Sequence, residues 1–212
     1  MKLWHCNNAR SLRPLWALEE MELDYELVML PFPPRAMQPE YLQINPLGTI
    51  PYFVDGDAHM TESSGICFYL VEKYGQREFG VDPEDPAYGG YLNWLYHSDA
   101  TLTFPQTLVL RYSRLEPEER RIPAVVEDYT RWYLSRLKLV NERVLKHEFL
   151  CADRFTIADV AITYALFLGE SLGLDQHYKP QTRDYLQRMK MRDGFQKAQR
   201  KQQEEGAAQL AN

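Results

Sequence analysis

Asn45-Pro46-Leu47-Gly48-Thr49-Ile50-Pro51 is a turn-rich approach that delivers an X-Pro bond to the start of a short apolar strand, Pro51 to Val54. Ten residues after Pro51, the run Thr61-Glu62-Ser63-Ser64 opens a helix with one carboxylate and several hydroxyls. Proline fits a strand's first residue, where no ladder donor is required. A cis Ile50–Pro51 bond would turn the preceding backbone outward and leave its amide and carbonyl for a peptide-like ligand. Glu62 and Ser63 fall at a helix N-terminus, whose free amides and dipole favour a ligand carboxylate. These types at this spacing describe a peptide-reading site.

Elements to hold such a site are legible on either side. Lys2 to Cys6 suits a first strand, and Ser11 to Met21 repeats Leu12, Leu15, Trp16, Leu18 and Met21 at helical spacing. Tyr25 to Leu30 reads as a second strand, giving a βαβ unit with the usual right-handed crossover. After the Pro31-Phe32-Pro33-Pro34 break, Pro39 to Leu42 suits a helical turn. Pro51–Val54 and His59–Met60 form a hairpin through Asp55-Gly56, and a helix runs from about Ser63 to Tyr74. This order predicts a thioredoxin-like α/β unit over residues 1–77, followed by a proline-marked linker over 78–86.

Strand signals stop there, so residues 87–212 read as an all-helical bundle. Ala87 to Arg114 is helical with a kink expected at Pro105. A helix opens at Pro123 and extends to about Lys146. Thr156 and Asp159 form a capping box, with Phe155 able to staple onto Val160. Pro180 opens a helix through Met189, and the polar tail from Gln196 is expected to fray.

Bulk composition narrows the function. The 212 residues are 45% hydrophobic and 13% aromatic, enough for a substantial core. Twenty-four basic against thirty acidic residues give a net charge of −6, which argues against a general nucleic-acid or anionic-membrane binder. No run approaches the roughly 20 apolar residues of a bilayer span. The N-terminus lacks a signal-peptide core. Cys6, Cys67 and Cys151 are widely spaced, so a disulfide framework and a zinc site are not expected. These features predict a cytoplasmic protein without a metal.

The thioredoxin-like half with Asn45-Pro46-x-Gly48-x-Ile50-Pro51 and Glu62-Ser63, joined to a helical half with Thr156-x-x-Asp159, resembles the cytosolic glutathione transferases. The resemblance extends over almost the whole chain. It implies a homodimer that binds glutathione in the N-terminal domain and an apolar electrophile against the C-terminal helices. Ile50 would pair its backbone with the cysteinyl part, just before a cis Pro51. Glu62 would hold the γ-glutamyl ammonium, and the Ser63 amide and hydroxyl its carboxylate. Asp99 would approach the glutathione ammonium in the partner subunit. Phe104, Leu108, Arg111, Tyr112, Tyr164 and Phe167 would line the co-substrate pocket, with Arg111 able to hold developing negative charge.

Such an enzyme must stabilise a thiolate, because a free thiol titrates near pH 8.5. In the family the activating Tyr, Ser or Cys stands in the turn after strand one. Here that turn offers Cys6, Asn7, Asn8, Arg10 and Ser11 and has no Tyr. Asn8 is either a helix cap or an amide donor, Ser11 a donor or a solvated hydroxyl, and Cys6 buried filler or a reactive thiol. Arg10 is either a charge able to lower the thiol pKa or a solvated surface cation. The leading expectation is glutathione conjugation. A thiol-disulfide reductase using Cys6, or a non-catalytic glutathione- or ligand-binding protein, are the competing ones.

Overall fold

The computed structural model describes residues 1–210. The chain divides into two compact units, Met1–Arg77 together with the segment from Lys190 onward, and Glu78–Met189.

The first unit begins with β1 (Lys2–His5), α1 (Leu12–Glu20), β2 (Glu26–Met29) and a short α2 (Pro34–Met37). A 3₁₀ turn at Pro39–Gln43 leads to β3 (Tyr52–Asp55), β4 (Ala58–Met60) and α3 (Ser63–Lys73). The sheet order is β2-β1-β3-β4. β1 runs parallel to β2, with Leu3 opposite Leu27, and antiparallel to β3, with Leu3 opposite Phe53. β4 completes the hairpin with β3. Leu3, Leu15, Leu18, Phe53, Ile66 and Leu70 are all fully buried. Each such side chain contributes about 1.5–3 kcal/mol on leaving water.

The approach to Ile50 is fixed by its own side chains. Asn45 Nδ2 donates to the Thr49 carbonyl at 2.8 Å, and Tyr41 Oη donates to the same oxygen at 2.9 Å. Leu47 N–H donates to Asn45 Oδ1 at 3.1 Å, closing an Asx turn. Gly48 lies at φ +58°, and an added Cβ would fall 2.6 Å from Arg35 Cβ. Glycine is required there on both counts.

The second unit is helical: α4 (Tyr88–Tyr96), α5 (Phe104–Leu110), α6 (Pro123–Arg136), α7 (Lys138–Val144), α8 (Ile157–Ser171) and α9 (Pro180–Lys190), whose last residue falls in the first unit. A π-helical stretch, His97–Thr103, joins α4 to α5. Pro105 stands in the first turn of α5, where its missing N–H removes an i→i−4 bond and the preceding turn widens. The single helix expected from Pro123 to Lys146 is two, α6 and α7, meeting at Leu137. Residues Ile157 to Leu166 of α8 are buried without a break, so this helix is wrapped by its neighbours. Its capping box is present. Thr156 N–H donates to Asp159 Oδ2 at 2.9 Å, and Ala158 N–H donates to Thr156 Oγ1 at 3.3 Å. Asp159 Oδ1 also accepts from Tyr185 Oη at 2.8 Å and from Leu150 N–H at 3.1 Å.

Over its described residues, the polar tail does not fray. It is α10 (Asp193–Leu210), 18 residues long, and it belongs to the first unit rather than to an 87–212 bundle. α10 packs on α1 and β2. The Trp16 and Phe195 rings meet edge-on at 5.1 Å, and Arg192 Nε donates to Glu20 Oε1 at 2.9 Å. A sparse stripe of buried Gly194, Phe195 and Ala198, with buried polar Gln202, docks a helix whose overall composition is that of a solvated tail.

Candidate functional site

The Ile50–Pro51 bond is cis. Ile50 is buried in a cluster with Trp4, Cys6, Leu30 and Tyr41. Its carbonyl accepts from Arg10 Nε at 2.8 Å. Arg10 is therefore half-buried against the edge expected to read a peptide, not a solvated surface residue. A carbonyl has two lone pairs, so Ile50 retains capacity for a second donor.

Glu62 is the exposed residue that precedes α3, with extended backbone (φ −95°, ψ 114°), and Ser63 is the first helical residue. Ser63 is 1% exposed and its hydroxyl accepts from Arg13 Nη1 at 2.9 Å. Arg13, on the first turn of α1, is fully buried. A guanidinium thus stands behind a helix N-terminus, and both attract an anion. No signal in the sequence separated this buried arginine from a surface one.

The turn between β1 and α1 sorts its own candidates. Cys6 is fully buried in the apolar cluster, its Sγ donates to the Pro31 carbonyl at 3.4 Å, and burial pushes its thiol up to about 12. A reactive cysteine needs the opposite shift. Ser11 is fully buried, with Oγ 2.7 Å from His5 Nδ1 and accepting Cys6 N–H at 3.4 Å. It is not a solvated hydroxyl. Asn8 is exposed at φ +55° and precedes the helix too early to cap it; the N-cap position is Ser11, which makes no side-chain capping bond. Its partner is Gln202 of α10, whose Nε2 donates to Asn8 Oδ1 at 2.8 Å and whose Oε1 accepts Asn8 N–H at 3.0 Å. Gln202 Oε1 also receives His5 Nε2 at 2.8 Å. Gln202 and His5 had no motif to announce them.

Beside this turn lies a cavity of about 700 Å³, lined by Asn7, Met29, Leu30, Pro31, Phe32, Met37, Gln202 and Gly206 among others, all of the first unit. Its walls are largely apolar. The helical candidates belong to the second unit. Phe104 is exposed and Leu108 half-buried on α5. Arg111 is paired with Glu116 at 2.6 Å and lies over the Tyr112 ring at 5.5 Å, so its charge is already met. Tyr164 is buried on α8, Phe167 is half-buried, and Asp99 sits half-buried in the π-helical stretch. Among the described residues, no group of three or more His, Cys, Asp or Glu side chains is placed to hold a metal.

Comparison with known proteins bears on this geometry. The model of the glutathione S-transferase N-terminal domain matches residues 1–72. Glutathione S-transferase 3 of Zea mays is 30% identical over 155 residues, covering 70% of this chain and 68% of that protein. The chain belongs to the glutathione S-transferase family. Within that family, glutathione S-transferase GstB of Escherichia coli K12 is 25% identical over 92% of this chain and 95% of its own. Among solved structures, the bacterial transferase BphK in a ternary complex superposes with a TM-score of 0.83 at 22% identity, over 95% of this chain and 99% of BphK. The transferase URE2P6 of Phanerochaete chrysosporium, in complex with oxidized glutathione, gives 0.81 at 25% identity over 96% of each chain. The thioredoxin-like unit with its four-stranded mixed sheet, followed by helices, is the family fold.

Proposed function

We propose that this protein is a glutathione transferase that conjugates the thiolate of glutathione to apolar electrophiles. The observation that carries the reading is the buried Arg13 guanidinium on the Ser63 hydroxyl, directly behind the N-terminus of α3. The γ-glutamyl carboxylate would take the Ser63 amide and hydroxyl proton, while exposed Glu62 would meet the γ-glutamyl ammonium. The cysteinyl backbone would pair with Ile50. Arg10, anchored on the Ile50 carbonyl, would bring a positive charge beside the sulfur, and the Asn8 amide would donate to it.

The step is a displacement. The thiolate forms a C–S bond with an electron-poor carbon, and a leaving group such as halide departs with the electron pair. The protein contributes positioning and thiolate stabilisation. The apolar cavity beside Asn7 supports a place for the electrophile in the first unit, and exposed Phe104 and half-buried Leu108 remain candidates on α5. Burial of Cys6 and its raised pKa weigh against a Cys6 reductase. Exposed Tyr96 offers apolar surface for a homodimer, and three free cysteines suit a reducing, cytoplasmic setting.

An assay with glutathione and an activated aryl halide tests the function. Saturable halide release that depends on glutathione supports it. Binding of glutathione without turnover across a broad electrophile panel would leave the non-catalytic reading instead.

A further inference from the structure

A neutral asparagine can offer a thiolate either a donor or an acceptor, and only the donor helps. Asn8 N–H donates to one terminal atom of Gln202 at 3.0 Å. A main-chain N–H can only donate, so that atom is the Gln202 oxygen and its other terminal atom is the NH₂ group. The NH₂ then reaches two groups, Asn8 and Gln199, each at 2.8 Å, and each must present oxygen to it. Asn8 is left with its own NH₂ uncommitted.

The same oxygen settles the rest of the turn. His5 Nε2 lies 2.8 Å from Gln202 Oε1 and therefore carries a proton. Burial lowers the His5 pKa to about 4, so the ring is neutral near pH 7 and Nδ1 is an acceptor. Ser11 Oγ, 2.7 Å from Nδ1, must spend its single proton there. It has none left for a sulfur.

We propose that Gln202 is a positioning residue for thiolate formation: gripping both the main-chain N–H and the side-chain oxygen of Asn8, it leaves only the Asn8 NH₂ free to donate, and through His5 it withdraws Ser11 from that role. The grip also holds Asn8 in its left-handed backbone conformation, φ +55°. The inference rests on the glutathione transferase reading, and it makes the last helix part of the activation apparatus.

The test is the thiol pKa of bound glutathione, followed by ultraviolet absorbance of the thiolate across pH. Gln202→Glu keeps the acceptor for Asn8 N–H but puts an acceptor where the NH₂ stood, so Asn8 must turn its NH₂ inward. Gln202→Met removes both bonds at similar volume. Each variant is expected to raise the bound thiol pKa by about one unit, roughly ten-fold less thiolate at pH values below it. In an Asn8→Ala, Ser11→Ala background, Gln202→Met should add no further shift, because both side chains through which Gln202 acts are then gone.

A full additional shift in that background, or an unchanged pKa in both single variants, overturns the proposal. Should Gln202→Met not fold, nitrogen NMR of His5 in the unmodified protein decides the orientation. An Nε2-protonated neutral ring agrees, and an Nδ1-protonated ring contradicts it. A wild type that binds no glutathione defeats the functional reading itself. A wild type that lowers the thiol pKa, with variants that lower it equally, defeats only the role of Gln202.

Discussion

Arg13 Nη1 donates to Ser63 Oγ at 2.9 Å, and neither side chain is more than 1% exposed. Replacing a whole buried ion pair with packed apolar residues often costs little stability, whereas removing one partner alone leaves the other unsatisfied and is costly. Arg13→Met is expected to weaken glutathione binding by about ten-fold, on the scale of a lost charge-assisted hydrogen bond of about 1.5–3 kcal/mol. Calorimetric titration measures the first effect. Chemical denaturation should show a loss of unfolding free energy as well, about 1–3 kcal/mol for a buried hydroxyl left without its donor.

Arg10 makes a separate prediction. Its Nε donates to the Ile50 carbonyl at 2.8 Å. Arg10→Met removes a charge beside the proposed sulfur position and leaves the carbonyl to the ligand. Turnover should fall by about ten-fold or more, as for loss of one preorganised donor. KM for glutathione should change little, and steady-state kinetics separates the two.

Two buried groups give opposing pH terms. Desolvation lowers His5 to about 4, below its unfolded value of 6.5. Its contribution is fully present above pH 6.5 and is lost as pH falls through about 4. Desolvation raises Asp159 to about 6, above its unfolded value of 3.8. That contribution is fully present below pH 3.8 and is lost as pH rises through about 6. The terms offset one another between pH 4 and 6. Asp159→Asn removes one of them, so the His5 loss, on the order of 3 kcal/mol, should emerge as a steeper acid destabilisation than in the wild type. Urea unfolding at several pH values over that window measures it.

Gly169 sits on α8 against two buried tyrosines. Tyr133 and Tyr178 share a hydrogen bond between their hydroxyls, and a Cβ on residue 169 would overlap the Tyr178 hydroxyl and lie 2.7 Å from that of Tyr133. Gly169→Ala is expected to destabilise the protein by about 1–3 kcal/mol, despite the better helix propensity of alanine. A gain in melting temperature would contradict this packing.

Local rules made much of the molecule legible. The Asn45–Pro51 approach, the Thr156–Asp159 box and the βαβ order each depend on neighbours in sequence, and each shows in the pattern of residue types. The helix from Asp193 was hidden because only four of its described positions, Gly194, Phe195, Ala198 and Gln202, are buried, and its docking partners Trp16 and Glu20 lie far back in the chain. The same distance concealed the site's wiring. Gln202 meets Asn8 across 194 residues, and Arg13 meets Ser63 across 50. Hydropathy cannot distinguish a buried, bonded arginine from a solvated one, so Arg10 and Arg13 needed the structure.

Calorimetric titration of glutathione into the wild type and Glu62→Gln bears most directly on the claim that the start of α3 reads the γ-glutamyl end. The account predicts saturable binding by the wild type, and an affinity loss of about ten-fold in Glu62→Gln at unchanged thermal stability, as expected for one lost charged partner. Equal affinity in the two proteins, or no uptake of glutathione at millimolar concentration, would contradict it.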